Sequence, residues 1–316
     1  MIIRKLKDAA KGFLLVSANH IIAPAEWYCL RGINPCILHF PPIFVIGPPR
    51  SGTTLVSQIL LASLDLGCLT NAMAAFYLAP YFIGKLSMLF VRSKETNFTS
   101  HYGRVKGLGG PNEGVRFWSR WFTGDPSRHL IGGFNGKPAT QLRKEIVAIT
   151  HLFGKPVLFK NPYNSNRIIP LNRVFPEAIF IEVSRDLIST ASSILRARID
   201  RYGDKTSWFG PGVVDQSVRN IPYWKQVVEQ TLRIQNSIKD ARDEVGAKKF
   251  FIINYSDICK NPAREIDRIY NFLHANNCKP IRKKIQLKPL PVSNKKRVSD
   301  HDMKLMMSYI NQISTL

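Results

Sequence analysis

Hydrophobic residues in this chain come in short unbroken runs and show little alternation with polar ones. Residues 43–46 read IFVI, 157–159 read VLF, 178–183 read AIFIEV and 250–254 read FFIIN. Runs this short and this apolar predict strands buried on both faces, as in a parallel sheet. Helix-forming stretches separate them, over residues 54–63, 187–197, 224–245 and 262–273. Strands alternating with helices predict an α/β fold, a parallel sheet with helices on both faces. The first 40 residues read as a helical extension with a connecting loop, and 41–316 as one domain with no internal linker. Residues 94–116 are rich in glycine and polar groups and read as a long loop, and FWSRWF at 117–122 as an aromatic helical turn. The longest apolar tract, residues 72–91, is broken by Pro80 and Lys85. It therefore predicts a buried helix pair or an apolar acceptor wall, not a membrane span, and is compatible with peripheral membrane contact.

Charge sharpens the picture. The chain has 45 basic and 22 acidic residues, a formal net charge of +23. Such an excess favours anionic partners: a nucleotide, a polyanionic glycan, nucleic acid or an anionic membrane surface. Nucleic-acid binding is disfavoured, because the basic residues are dispersed and the aromatics sit in apolar surroundings. Five scattered cysteines form no CxxC pair and no zinc spacing, which points to a reducing, cytoplasmic compartment and to no metal site. The N-terminal apolar run is broken by Asn19 and His20, unlike a cleaved signal.

The chemistry begins after the first strand. Gly47-Pro-Pro-Arg-Ser-Gly-Thr-Thr54 joins a strand to a helix. Such a loop aims backbone N–H groups at one point, and the helix dipole adds partial positive charge there. Gly52 permits close approach of a phosphate, Ser51, Thr53 and Thr54 offer hydroxyls, and Arg50 brings a forked cation. A nucleoside triphosphate hydrolase or kinase is one reading, but Thr53 stands where its lysine belongs. It also needs an acidic metal ligand at a strand end, and VSRD there offers Arg185. A non-catalytic nucleotide-binding or anionic-polymer-binding protein is the other alternative.

The loop resembles that of sulfotransferases using 3′-phosphoadenosine 5′-phosphosulfate, in its glycan- and tyrosine-modifying branch more than its phenol-modifying one. The resemblance implies a P-loop-like three-layer fold and a loop that grips the 5′-phosphosulfate without a metal, with Arg50 at the leaving oxygen. A second motif agrees: in VSRDLISTASS, Arg185 is followed eight positions later by Ser193, matching the family's 3′-phosphate signature. VLFKNPYN resembles the family's lysine-bearing strand end, with Lys160 in place. Tyr255-Ser256-Asp257-Ile258 resembles its Tyr-Glu-Asp-Leu element, for which a structural role is expected. Lys295, Lys296 and Arg297 match a basic loop that closes over the nucleotide, and read equally as a solvated charge run.

Sulfuryl transfer also needs a base for the acceptor proton. Related tyrosine sulfotransferases place a glutamate where this chain has Asn71, which cannot serve. Glu113, in a glycine-rich loop beside Phe117 and Trp118, is the first candidate, and His101 the second. Arg104, Arg116 and Arg120 are candidates for holding an anionic acceptor. The expected acceptor is a hydroxyl or amine, on a glycan or glycolipid rather than a small phenol.

Overall fold

The computed structural model describes residues 2–90, 107–123, 134, 139–211, 216–292 and 298–314. Its elements, in chain order, are α1 (Ile2–Leu30), β1 (Ile43–Ile46), α2 (Thr53–Ser63), β2 (Gly67–Cys68), α3 (Asn71–Ala75), α4 (Pro80–Phe90), α5 (Val115–Ser119) and α6 (Ala139–Phe153). There follow β3 (Val157–Lys160), α7 (Ile168–Val174), β4 (Ile179–Ser184), α8 (Leu187–Tyr202), α9 (Tyr223–Val245), β5 (Phe250–Asn254), α10 (Tyr255–Lys260), α11 (Pro262–Ala275) and α12 (Asp300–Ser314). The five strands form one sheet, ordered β2-β3-β1-β4-β5, with every pairing parallel.

The unbroken apolar runs follow from this layering. Phe44 and Ile46 of β1 enter one core with Phe159, Phe180, Trp118 and residues of α6, α7 and α9. Ile43 and Val45 enter the opposite core with Leu158, Ile181 and residues of α2 and α11. Over β1, β3 and β4 both faces of the sheet are covered, so alternation has no polar face to mark, whereas the edge strand β5, expected to be buried, leaves Ile252 46% exposed because no strand lies beyond it. Phe44 stacks on Phe159 and Phe180 with ring centroids 5.6 Å away in each case. These stacks hold β1 between its neighbours.

The apolar tract forms a helix pair over residues 71–90, with Pro80 opening α4 at a position where its missing N–H costs nothing, but the pair is buried only in part, since Leu86, Met88 and Leu89 are exposed. Five elements went unread in the sequence: β2, α6, α7, α10 and α12. β2 has two residues, α6 is amphipathic with its polar face outward, and α12 is pinned through its own carboxylate to side chains remote in sequence. That carboxylate, Asp302, takes hydrogen bonds from Lys205 Nζ at 2.8 Å and Tyr223 Oη at 2.6 Å. No local pattern announces a helix held this way.

Candidate functional site

The carboxyl ends of β1, β3, β4 and β5 bring the chemistry-bearing residues to one edge of the sheet. This is where open α/β sheets bind ligands, beside the strand at which the chain reverses its direction of sheet growth. Here that strand is β1, with β3 on one side and β4 on the other.

The loop after β1 is shaped by backbone conformations that side chains rarely adopt. Gly47 has φ 150° and Gly52 has φ 109°. A Cβ on Gly52 would lie 2.3 Å from the Tyr255 ring, and one on Gly47 would lie 2.8 Å from the Val183 carbonyl oxygen. Arg50 adopts φ 70°, an uncommon conformation for a residue with a side chain, held here by its surroundings. The Ser165 hydroxyl braces the loop from outside, accepting from Gly47 N and donating to Gly47 O, each at 2.9 Å. Gly52 caps α2 without a side-chain bond, and the helix's first N–H groups open into the loop. The Ser51 hydroxyl is fully buried with no hydrogen-bond partner. A buried donor left in this state is costly unless a ligand supplies an acceptor.

Arg50, Arg185 and Ser193, far apart in sequence, meet at this loop. Arg50 Nε donates to Ser193 Oγ at 3.2 Å, and Arg185 Nη1 donates to the Arg50 carbonyl at 3.3 Å. Arg185 and Ser193 are buried, and the Arg185 guanidinium lies 4.3 Å from the centre of the Tyr255 ring. Tyr255 thus does more than the structural part expected of its element: it floors the glycine loop and carries the Arg185 cation on its face. The sequence offered no signal for Ser165 and only a family likeness for Tyr255.

On the other side, Lys160 ends β3 and its ammonium is hydrogen-bonded to the Glu113 carboxylate. Asn161 Nδ2 donates to the Glu113 carbonyl at 2.9 Å and fixes the loop that bears it. Asn71, at the position of the absent glutamate, is used structurally. It donates to the Gly107 carbonyl at 2.6 Å and accepts from Asn112 Nδ2 at 2.7 Å. A recess lined by Thr54, Gln58, Cys68, Pro111, Glu113 and Lys160 connects the start of α2 to this pair. Phe117 and Trp118 turn away into the core against Phe44 and Phe159, so Lys160 is the neighbour that faces the Glu113 carboxylate. Arg120 is committed elsewhere, bonded through Nη2 to Glu145 at 2.6 Å and through Nη1 to the Tyr77 carbonyl. It is a structural ion pair and not an acceptor ligand; Arg116 remains exposed. His101, Arg104, Lys295, Lys296 and Arg297 lie outside the described residues.

A glycine loop that carries Arg50 and has Thr53 where a lysine would stand, with the Arg185–Ser193 pair converging on it, thus defines the site. At 25% identity over 275 residues, the chain is similar to omega-hydroxy-beta-dihydromenaquinone-9 sulfotransferase Stf3 of Mycobacterium bovis and, equally, of Mycobacterium tuberculosis. The alignment covers 77% of this chain and 65% of each relative, so the chain spans less than two thirds of their length. The solved structure of sulfotransferase STF1 of Mycobacterium tuberculosis H37Rv is 15% identical and shares the fold. It aligns with a TM-score of 0.55 over 94% of this chain and 78% of its own. The model of the sulfotransferase family matches residues 41–276, from the first strand through all the site elements described above, and the chain belongs to that family.

Proposed function

We propose that this protein transfers a sulfuryl group from 3′-phosphoadenosine 5′-phosphosulfate to a hydroxyl of a lipid or glycolipid acceptor. The observation that carries this reading is the convergence of Arg50, Arg185 and Ser193 on one glycine loop. Two cationic groups there suit a ligand with phosphates at both ends of a nucleoside, which a triphosphate site does not require. The lipid character of the acceptor is supported by the curated relatives, named for a hydroxylated menaquinone. A glycan hydroxyl is the alternative acceptor.

The residues fit the donor. Gly47 and Gly52 let the loop close tightly against Val183 and Tyr255, where any Cβ would collide, and the Ser51 hydroxyl lacks an acceptor. Arg50 and the α2 N-terminus would hold the 5′-phosphosulfate, and Arg185 with Ser193 the 3′-phosphate. When bound, the donor supplies a sulfuryl group on an energy-rich phosphosulfate linkage. Arg50 stabilises negative charge as it accumulates on the phosphate side of that linkage. Glu113 takes the proton from the acceptor hydroxyl, whose oxygen forms the new bond to sulfur. Lys160 orients the Glu113 carboxylate and places a positive charge beside the transferring oxygens. His101 is the second candidate base, and Lys295, Lys296 and Arg297 would close over the nucleotide.

Melting the protein with adenosine 3′,5′-bisphosphate in the absence of magnesium tests the reading. Stabilisation by several degrees is expected, with no comparable effect of magnesium and ATP. The opposite pattern would mark a kinase or triphosphatase. Mass-spectrometric screening of lipid and glycan hydroxyls with labelled donor then identifies the acceptor.

A further inference from the structure

The first helix docks by a polar edge and leaves an apolar face in solvent. Its buried side chains include Asn19, Glu26 and Leu30. Asn19 Nδ2 donates to the Ala75 carbonyl at 2.9 Å and Asn19 Oδ1 accepts from Leu78 N at 3.0 Å. The Glu26 carboxylate accepts from the N–H groups of Tyr81 and Phe82 at 3.0 and 2.6 Å, capping α4. These four bonds fix α1 against the end of α3, the following connection and the start of α4, and determine which way its other side points.

That other side carries Phe13, Leu14, Ile21, Trp27 and Tyr28, each more than half exposed, with Ile21 at 77%. At the helical repeat, positions 13, 14, 20, 21, 24, 27 and 28 fall within an arc of about 140°. Those are the exposed positions of α1 from Phe13 onward. Between Lys11 and Arg31 the helix has a single formal charge, Glu26, and it is buried. The exposed face is therefore free of Asp, Glu, Lys and Arg over four turns. The adjoining helix α4 exposes Leu86, Met88 and Leu89 towards its end. Scattered surface hydrophobics are ordinary, but a continuous uncharged face this long marks a contact surface.

Charge identifies what it contacts. The first 11 residues hold Arg4, Lys5, Lys7 and Lys11 against Asp8 alone. At the other end, the Arg31 guanidinium sits 3.8 Å over the exposed Trp27 ring, next to Tyr28. Basic residues and interfacial aromatics at the ends of an apolar helical face suit the headgroup boundary of an anionic bilayer. A second copy is disfavoured, since each chain brings a net charge of +23 to the contact. No helix among the described residues is long and apolar enough to cross a membrane, so α1 is suited to lie in the interface plane. We propose that the exposed face of α1, from Phe13 to Tyr28, docks this protein onto an anionic lipid bilayer. Docking of this kind stands apart from the chemistry of the glycine loop and would persist in a chain that bound no nucleotide.

Vesicle flotation with the full chain tests it. Vesicles of mixed phosphatidylglycerol and phosphatidylcholine should carry the protein, and pure phosphatidylcholine much less. Replacing Phe13, Ile21 and Trp27 together by Gln should lower the apparent affinity at least about tenfold, while stabilisation by adenosine 3′,5′-bisphosphate stays unchanged. Should that variant fold poorly, brominated acyl chains offer a milder readout. They should quench the wild type more strongly than Trp27→Phe, because Trp27 alone of the proposed face would report depth in the bilayer. Binding that vanishes in high salt and is indifferent to the Gln substitutions would reduce it to adsorption by net charge and overturn the proposal. So would a dimer in sedimentation that the same substitutions dissolve, which would make this face a contact between copies. Equal quenching in wild type and Trp27→Phe would overturn it as well.

Discussion

Arg185 is buried, stacked on Tyr255 and bonded to the backbone of the residue whose side chain faces the same loop. A guanidinium so placed is poorly hydrated before any ligand arrives, and an anion that reaches it gains more than at an exposed site. Arg185→Ala should therefore weaken adenosine 3′,5′-bisphosphate by about 2–4 kcal/mol and remove discrimination against the analogue lacking the 3′-phosphate. Calorimetry with both ligands checks this, and unchanged discrimination would place the 3′-phosphate elsewhere. Glu113 calls for a different readout, because its carboxylate is held by Lys160 and lines the recess beside the loop rather than the loop itself. Glu113→Gln keeps the shape but not the basicity, so turnover should fall by about two to four orders of magnitude with donor affinity nearly intact. Loss of donor affinity as well would show that Glu113 serves only to position Lys160. Neither the Tyr255 contact nor the Lys160–Glu113 pair was legible locally, since each joins residues from different loops across the strand ends.

At the scale of elements, the docking of α1 on α4 carries a pH dependence. Burial is the largest influence on the Glu26 carboxyl and lifts it from 4.5 to about 7, although the N–H groups of Phe82 and Tyr81 pull it down. Glu145 raises it further and Arg120 lowers it. The folded protein thus keeps a proton that the unfolded chain releases above 4.5. Stability from this group is complete below that value and is lost as pH rises through 7. The full loss amounts to roughly 3 kcal/mol at ~1.4 kcal/mol per pH unit. Urea denaturation between pH 5 and 8 should show stability falling, with a shallower fall in Glu26→Gln. Identical slopes in the two proteins would assign the effect to other groups. Element identity itself was largely readable. β5 has the bounds that its apolar run announced, and α2, α8, α9 and α11 lie where helix-forming stretches placed them. α6 and α12 escaped because their stability comes from partners remote in sequence, such as Lys205 and Tyr223 beneath Asp302.

At the scale of the molecule, the two cofactor motifs were visible as separate strings, and the parallel sheet followed from apolar runs buried on both faces. Those conclusions need only local information: strand length, glycine position and the spacing of an arginine and a serine along a helix. Tertiary structure decided what lies between. Strand order put the ends of β1 and β4 side by side, so that Arg50 and Ser193, 143 residues apart, are within hydrogen-bonding distance. It diverted Arg120 into an ion pair with Glu145, turned Phe117 and Trp118 into the core, and set Asn71 to bracing Asn112. It also chose which face of α1 is covered, through two polar side chains whose partners lie more than 50 residues away. Local sequence determines the kind of element and the chemistry it carries, because backbone geometry and burial period are short-range. The partner of each charge, and the face each helix shows to solvent, depend on packing across the sheet and so belong to the fold.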